Sequence, residues 1–223
     1  MPHRLLATML VFLLVGIPAP ARSAGAPNLL AVGTVTQASG AHFNAATVSA
    51  GATIYDGDGL STDANGALQF HSPASLVYLP GASGVTLHSL ANGTQVQLRN
   101  GALVFSVARA AAMEILADEA LIRPVADGPT IAQVTLIGPK ELQVLARRGT
   151  LWFSYRNEAA TIPEGASYRI LLDPPEASSM PQTQRGPAKA GRENRFFKII
   201  SVTTVALITV WAVHEAFESP DRP

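Results

Sequence analysis

The feature that most constrains this chain is a long succession of short, alternating apolar segments, each ended within a few residues by turn chemistry. Between Asn28 and Asp173 the candidate strands are Ala31–Gln37, Ala67–His71, Ser75–Leu79, Val85–His88, Gln95–Leu98, Ala102–Val107, Ile131–Ile137, Leu142–Ala146, Thr150–Tyr155 and Tyr168–Leu172. An apolar residue at every second position is the signature of a strand with one buried face. Between them lie Asp56-Gly57-Asp58-Gly59, Asn65-Gly66, Pro80-Gly81, Asn92-Gly93, Asn100-Gly101, Arg148-Gly149 and Pro163-Glu164-Gly165. These residue types reverse a chain because they tolerate or preset turn dihedrals. The segment Val107 to Ala120, Ala-rich at its start, reads equally as a helix or as loop and strand. The expectation is an all-β domain: a two-layer β-sandwich or jelly roll, or a short β-solenoid.

An internal echo runs through this domain. Val96, Leu98, Gly101, Leu103, Phe105 and Ser106 match Val144, Ala146, Gly149, Leu151, Phe153 and Ser154 at a constant offset of 48. Val85-Thr86-Leu87 and Val134-Thr135-Leu136 precede the two copies at an offset of 49. Strand, short Gly-containing turn, strand is the hairpin pattern, so two similar stacked hairpins are expected. Alternation puts Leu103, Phe105 and Val107 on one face, and likewise Leu151, Phe153 and Tyr155. Trp152 then falls on the other face. It is either packed under a neighbouring segment or a contact for sugar or protein, and it is the one candidate partner-binding residue.

Both ends are of a different character. Residues Met1 to Arg4 are basic, Leu5 to Ile17 are apolar, and Pro18 to Ala26 are rich in Pro and Ala. That order is a secretory signal peptide, assigned to residues 1–23, with cleavage after Ala21 or Ser23. An uncleaved anchor is the alternative. Phe196 to Val213 is largely apolar, has no polar face between Ile199 and Val213, and reaches about 27 Å as a helix, close to a hydrocarbon core of about 30 Å. This predicts a single C-terminal transmembrane helix over 196–213, with a short tail, 214–223, after it. Residues 174–195, with Pro174, Pro175, Pro181 and Pro187, read as a flexible spacer.

The signal peptide places the domain outside the cytoplasm, in the periplasm of a bacterial envelope, with the tail inside. Lys189, Arg192 and Arg195 before the apolar run, with Lys198 at its start, argue the other way, since basic flanks tend to stay cytoplasmic. The signal peptide takes precedence because it commits the domain to translocation first. No cysteine is present, which removes disulfides, thiol nucleophiles and Cys-based metal sites. Lys+Arg and Asp+Glu are both 16, and the basic residues lack an aromatic stripe, so nucleic-acid binding is unsupported.

No motif for a cofactor, a metal or catalysis emerges. Asp56-Gly57-Asp58-Gly59-Leu60 resembles a calcium loop, but Leu60 replaces a ligand and Ala67 stands where the bidentate Glu belongs. His42, His71, His88 and His214 lack metal spacing. His71-Ser72 and His88-Ser89 are adjacent pairs whose side chains point to opposite strand faces. An enzyme acting on glycans would need two carboxylates in one cleft, drawn from Asp56, Asp58, Asp118, Glu119 and Glu141.

Taken in order, these motifs resemble the FecR-like domain family, named after the periplasmic part of the bacterial iron-dicitrate regulator. The resemblance rests on Gly33-Thr34-Val35, Gly51, Gly57-Asp58, Thr62, Gly66-Ala67-Leu68-Gln69-Phe70, Leu79-Pro80, Val85-Thr86-Leu87, the two strand-Gly-strand segments and Gly165. It covers Val32 to Leu172, within a domain of residues 28–173. Two departures stand out: Ile131 to Pro139 replaces the family's Gly-Thr-x-Phe segment, and only the signal peptide precedes the domain. The resemblance implies a non-catalytic sensor or scaffold in the envelope, without catalytic residues. The expected function is a membrane-tethered module binding an envelope protein or a cell-wall polymer. A transmembrane signalling regulator and an envelope glycan-acting enzyme are the alternatives.

Overall fold

The computed structural model describes residues 30–174 and 196–201. Among them are sixteen strands and no α-helix: β1 (Ala31–Phe43), β2 (Ala46–Thr47), β3 (Thr53–Tyr55), β4 (Gly59–Ser72), β5 (Ser75–Leu79), β6 (Gly84–Leu90), β7 (Gly93–Asn100), β8 (Ala102–Val107), β9 (Met113–Ala117), β10 (Ala120–Pro124), β11 (Thr130–Gly138), β12 (Glu141–Arg148), β13 (Leu151–Tyr155), β14 (Glu158–Ile162), β15 (Ser167–Leu172) and β16 (Phe197–Ser201). All belong to one sheet, ordered β14-β13-β10-β9-β7-β6-β4-β5-β8-β11-β12-β15-β16, with β1 lying along β4 and carrying β2 and β3. Val107 to Ala120, undecided in sequence, is a single 3-10 turn at Ala110–Ala112 and then β9.

The sheet curls back over one core. Strand β4 is the pivot: its first residues pair with β6 and its last with β5, so it serves both halves. Phe153 on β13, near one end of the strand order, meets Phe197 on β16, at the other end, edge to face with centroids 4.9 Å apart. Leu68, Phe70, Leu87, Leu103, Phe105, Ile122, Val144 and Phe153 are all fully buried in the single core cluster between the halves. The architecture is therefore an all-β, curled half-barrel.

The echo is structural, but its geometry differs from the expected hairpins. Strand β7 pairs with β6 and β9, and never with β8, which pairs with β5 and β11. Likewise β12 pairs with β11 and β15, whereas β13 pairs with β10 and β14. Each strand-Gly-strand segment is an arch that carries the chain from one half of the curled sheet to the other. The true hairpins are β6–β7 and β11–β12, which contain the Val-Thr-Leu elements at offset 49. A local pattern of strand, turn, strand is shared by hairpin and arch. Which one forms depends on whether apolar faces meet across the core or side by side.

The apolar run near the C-terminus also begins differently from its expected form. Phe197–Ser201 is a strand antiparallel to β15, and Phe197 is 1% exposed in the core. A transmembrane helix over 196–213 is thus not what residues 196–201 form; Val202–Val213 lies outside the described residues, as do the signal peptide, residues 175–195 and the tail. No helix among the described residues is long and apolar enough to cross a membrane. Lys198 stands exposed on β16 opposite Leu171. In chain order the Pro-rich stretch joins β15 to β16, and its two ends are pinned together where the Asp173 N–H donates to the Phe196 carbonyl at 2.8 Å. In chain order it leads from one strand of the sheet to the strand paired with it.

Candidate functional site

Strand β13 has the alternation its sequence predicts. Leu151, Phe153 and Tyr155 are buried, and Trp152 and Ser154 look outward and are half-buried. Trp152 is paired across the sheet with Arg123 of β10 on one side and Thr161 of β14 on the other. The Arg123 guanidinium carbon lies 4.4 Å from the centroid of the indole. A cation over that ring is attracted by its quadrupole, worth about 0.5–1 kcal/mol where solvent reaches it. Trp152 is therefore neither bare nor buried under a separate segment: its cross-strand neighbour caps it.

The outward row continues across the half-sheet. Beyond the paired Ile122 and Ile115, Arg123 and Glu114 are the next positions along β10 and β9, and Glu114 is paired in turn with Gln95, and Gln95 with His88. One row over, Leu121 and Leu116 are paired and half-buried. Arg123, Trp152 and Glu114 line an open groove of about 510 Å³ whose apolar wall includes Leu90, Pro124 and Val125. A second groove of about 540 Å³ adjoins it, sharing Leu90, Ala91, Asn92 and Ala111. A third, of about 620 Å³, lies by Ile137, Arg99 and Asp118.

Sequence alone singles out Trp152 and passes over Arg123 and Glu114. Ala120–Pro124 lies outside every candidate strand, although its pattern of buried Ala120, Ile122 and Pro124 against Leu121 and Arg123 carries the period. Pairing of β10 with β13 across 30 residues of sequence has no local signal.

The acidic residues named for glycan chemistry are spread over separate elements. Asp56 and Asp58 occupy the β3–β4 turn, where Asp58 accepts the Tyr55 N–H at 2.7 Å and Asp56 the Ser89 N–H at 2.8 Å. These bonds explain the Gly-Asp motif as a turn fastened to β6. Asp118 and Glu119 form the β9–β10 turn, and Glu141 is bonded to Arg169 at the start of β12. Each of the three grooves is lined by one carboxylate: Glu114, Asp127 and Asp118 respectively. Among the described residues no group of three or more His, Cys, Asp or Glu is placed to hold a metal ion.

A tighter charged cluster surrounds Asp173. Its Oδ2 accepts from Lys140 Nζ at 2.6 Å, Tyr155 Oη at 2.9 Å and Arg156 Nη2 at 3.0 Å. The Lys140 hydrogen bond, foremost, holds the Asp173 carboxyl below its ordinary range despite partial burial. The same bond raises the Lys140 ammonium, and burial raises the Tyr155 hydroxyl. Arg156 also lies 5.2 Å from the rings of Tyr155 and Phe196, and Glu158 Oε2 accepts the Phe196 N–H. The cluster clasps the point where the chain leaves β15 and returns to β16.

No family model matches the chain, and no curated protein does. Two crystal structures of a "putative anti-sigma factor" from Parabacteroides distasonis, at 1.65 and 2.50 Å resolution, are similar to it with a TM-score of 0.48 each. Sequence identity is 12% and 13%, over 69% of this chain and 64% and 63% of those chains. The chain thus spans less than two thirds of their length.

Proposed function

We propose that this chain is a non-catalytic, FecR-like binding module of the bacterial envelope, exported by its N-terminal signal and tethered by its C-terminal apolar run. On this reading the module engages an envelope protein or a cell-wall polymer through the outer face of the β14-β13-β10-β9-β7-β6 half. The observation that carries it is the Arg123–Trp152 pair, held facing solvent over an open groove while the opposite face of the same strands is core. Large aromatic and Arg side chains concentrate the energy of protein contacts. The dispersal of carboxylates, one per groove, supports binding over glycan hydrolysis, which needs two facing one cleft. Export and tethering are supported by Leu5–Ile17 and by the apolar residues beyond Ser201.

Limited proteolysis of spheroplasts expressing the full chain tests the placement. The expected outcome is digestion of the β domain from outside, without lysis. Protection until the cells are broken overturns an extracytoplasmic domain.

A further inference from the structure

The Arg123–Trp152 stack holds a donor that the fold itself leaves unused. A guanidinium laid over an aromatic ring has its face occupied and its N–H edge free for a carboxylate fork. Arg123 is exposed, and its side chain makes no hydrogen bond or ion pair among the described residues. Arg156 and Arg169, by contrast, are both bonded to carboxylates. Stacking has also restricted the Arg123 side chain already, so less ordering accompanies binding.

The surroundings narrow the ligand. Glu114 lines the same groove and disfavours a carboxylate on its own side, directing one toward Arg123, while it can accept an N–H from a ligand. Leu90 and Val125, the latter 53% exposed, offer an apolar wall beside this charge pair. A sugar ring would seek the indole face, but Arg123 already covers it and Thr161 is the cross-strand neighbour on the other side. Carboxylate, N–H donor and aliphatic group at close spacing are what a polypeptide supplies.

We propose that this groove binds an extended acidic segment of a partner protein, with an Asp or Glu carboxylate forked on Arg123 and a neighbouring aliphatic side chain against Leu90 and Val125. This deepens the binding reading above and rests on it.

A random heptapeptide library displayed on beads, screened with the purified full chain, tests the proposal. Selected peptides are expected to carry Asp or Glu beside an aliphatic residue. Arg123→Gln should weaken a resynthesised peptide by about tenfold to a hundredfold, the loss of one charge-assisted pair. Arg99→Gln, in the third groove, should leave it unchanged. Changing the peptide carboxylate to an amide should cost the wild-type chain as much and the Arg123→Gln chain little. Arg123→Lys, which keeps the charge and loses the fork, should fall between. Melting temperatures equal to wild type confirm that each loss is local.

Selection without acidic enrichment, or undiminished binding to Arg123→Gln, overturns the proposal. Displacement of the peptide by polygalacturonate at equal carboxylate concentration overturns the polypeptide as occupant. Spheroplast proteolysis is independent of either outcome, so failure here is distinguishable from failure of the envelope reading.

Discussion

Gly101 and Gly149 occupy equivalent points in the two arches, with φ of +74° and +75°. A Cβ at Gly101 would lie 2.5 Å from the Ala82 carbonyl oxygen and 2.6 Å from Ser83 Oγ; at Gly149 it would lie 2.6 Å from Thr130 Oγ1. Gly57 has a similar φ of +85°, with nothing within 4 Å of its Cβ position. Gly57→Ala therefore meets only the left-handed backbone cost, about 1–2 kcal/mol. Gly101→Ala adds overpacking of about 1–3 kcal/mol against backbone. Urea denaturation at neutral pH checks the order, and equal losses at the two positions would refute the steric account. Thr62 illustrates a motif residue with a packing reason: its hydroxyl donates to the Pro80 carbonyl at 2.6 Å and accepts the Ser83 N–H at 3.0 Å. Sequence could mark these Gly and Thr positions as special. It could not say which atoms crowd them, because those atoms come from residues 18 to 21 positions away.

Among the elements, β16 has little local support and is held by its tertiary surroundings. Its pairing with β15, the Phe153–Phe197 contact and the clasp around Asp173 all come from outside it. Because Asp173 has a carboxyl pKa below its ordinary value, its contribution is present above the unfolded-state value, near 3.9, and disappears as pH falls through the lower folded-state value. Asp173→Asn should therefore lower the melting temperature at pH 7. That deficit should shrink as pH falls below about 4, because the wild-type carboxylate is being neutralised in the same window. A deficit that stays constant down to pH 2 would show that charge plays no part in the clasp. The strands that alternation located, such as β5 and β12, are those whose two faces differ sharply in surroundings. β14 and β16 escaped for the opposite reason: one is half-exposed along most of its length, and the other sits in a continuous apolar run.

At the scale of the whole molecule, residues 197–201 are claimed by two structures at once. In the sheet they close the core; in a helix from Phe196 they would help cross a bilayer. Without them a helix over 202–213 rises about 18 Å, well short of a hydrocarbon core of about 30 Å. Complete crossing within this run thus requires β16 to leave the sheet. The chain has no native cysteine, and Arg169 and Ile200 are direct cross-strand partners, so Arg169→Cys with Ile200→Cys can lock β16 by a disulfide. The oxidised double variant is expected to be extracted from membranes by alkaline carbonate, while the reduced form resists extraction. Retention of both forms would show that anchoring does not draw on β16. Local residue order by itself determined that the domain is all-β, where most strands and turns lie, and that Trp152 faces away from the core, because side-chain alternation and turn dihedrals are short-range properties. Only the tertiary structure decided that the echoed segments are arches, that Arg123 caps Trp152, and that the start of the apolar run is a strand. Each of those depends on which buried faces find one another across the curled sheet, a pairing between residues distant in sequence that no local pattern encodes.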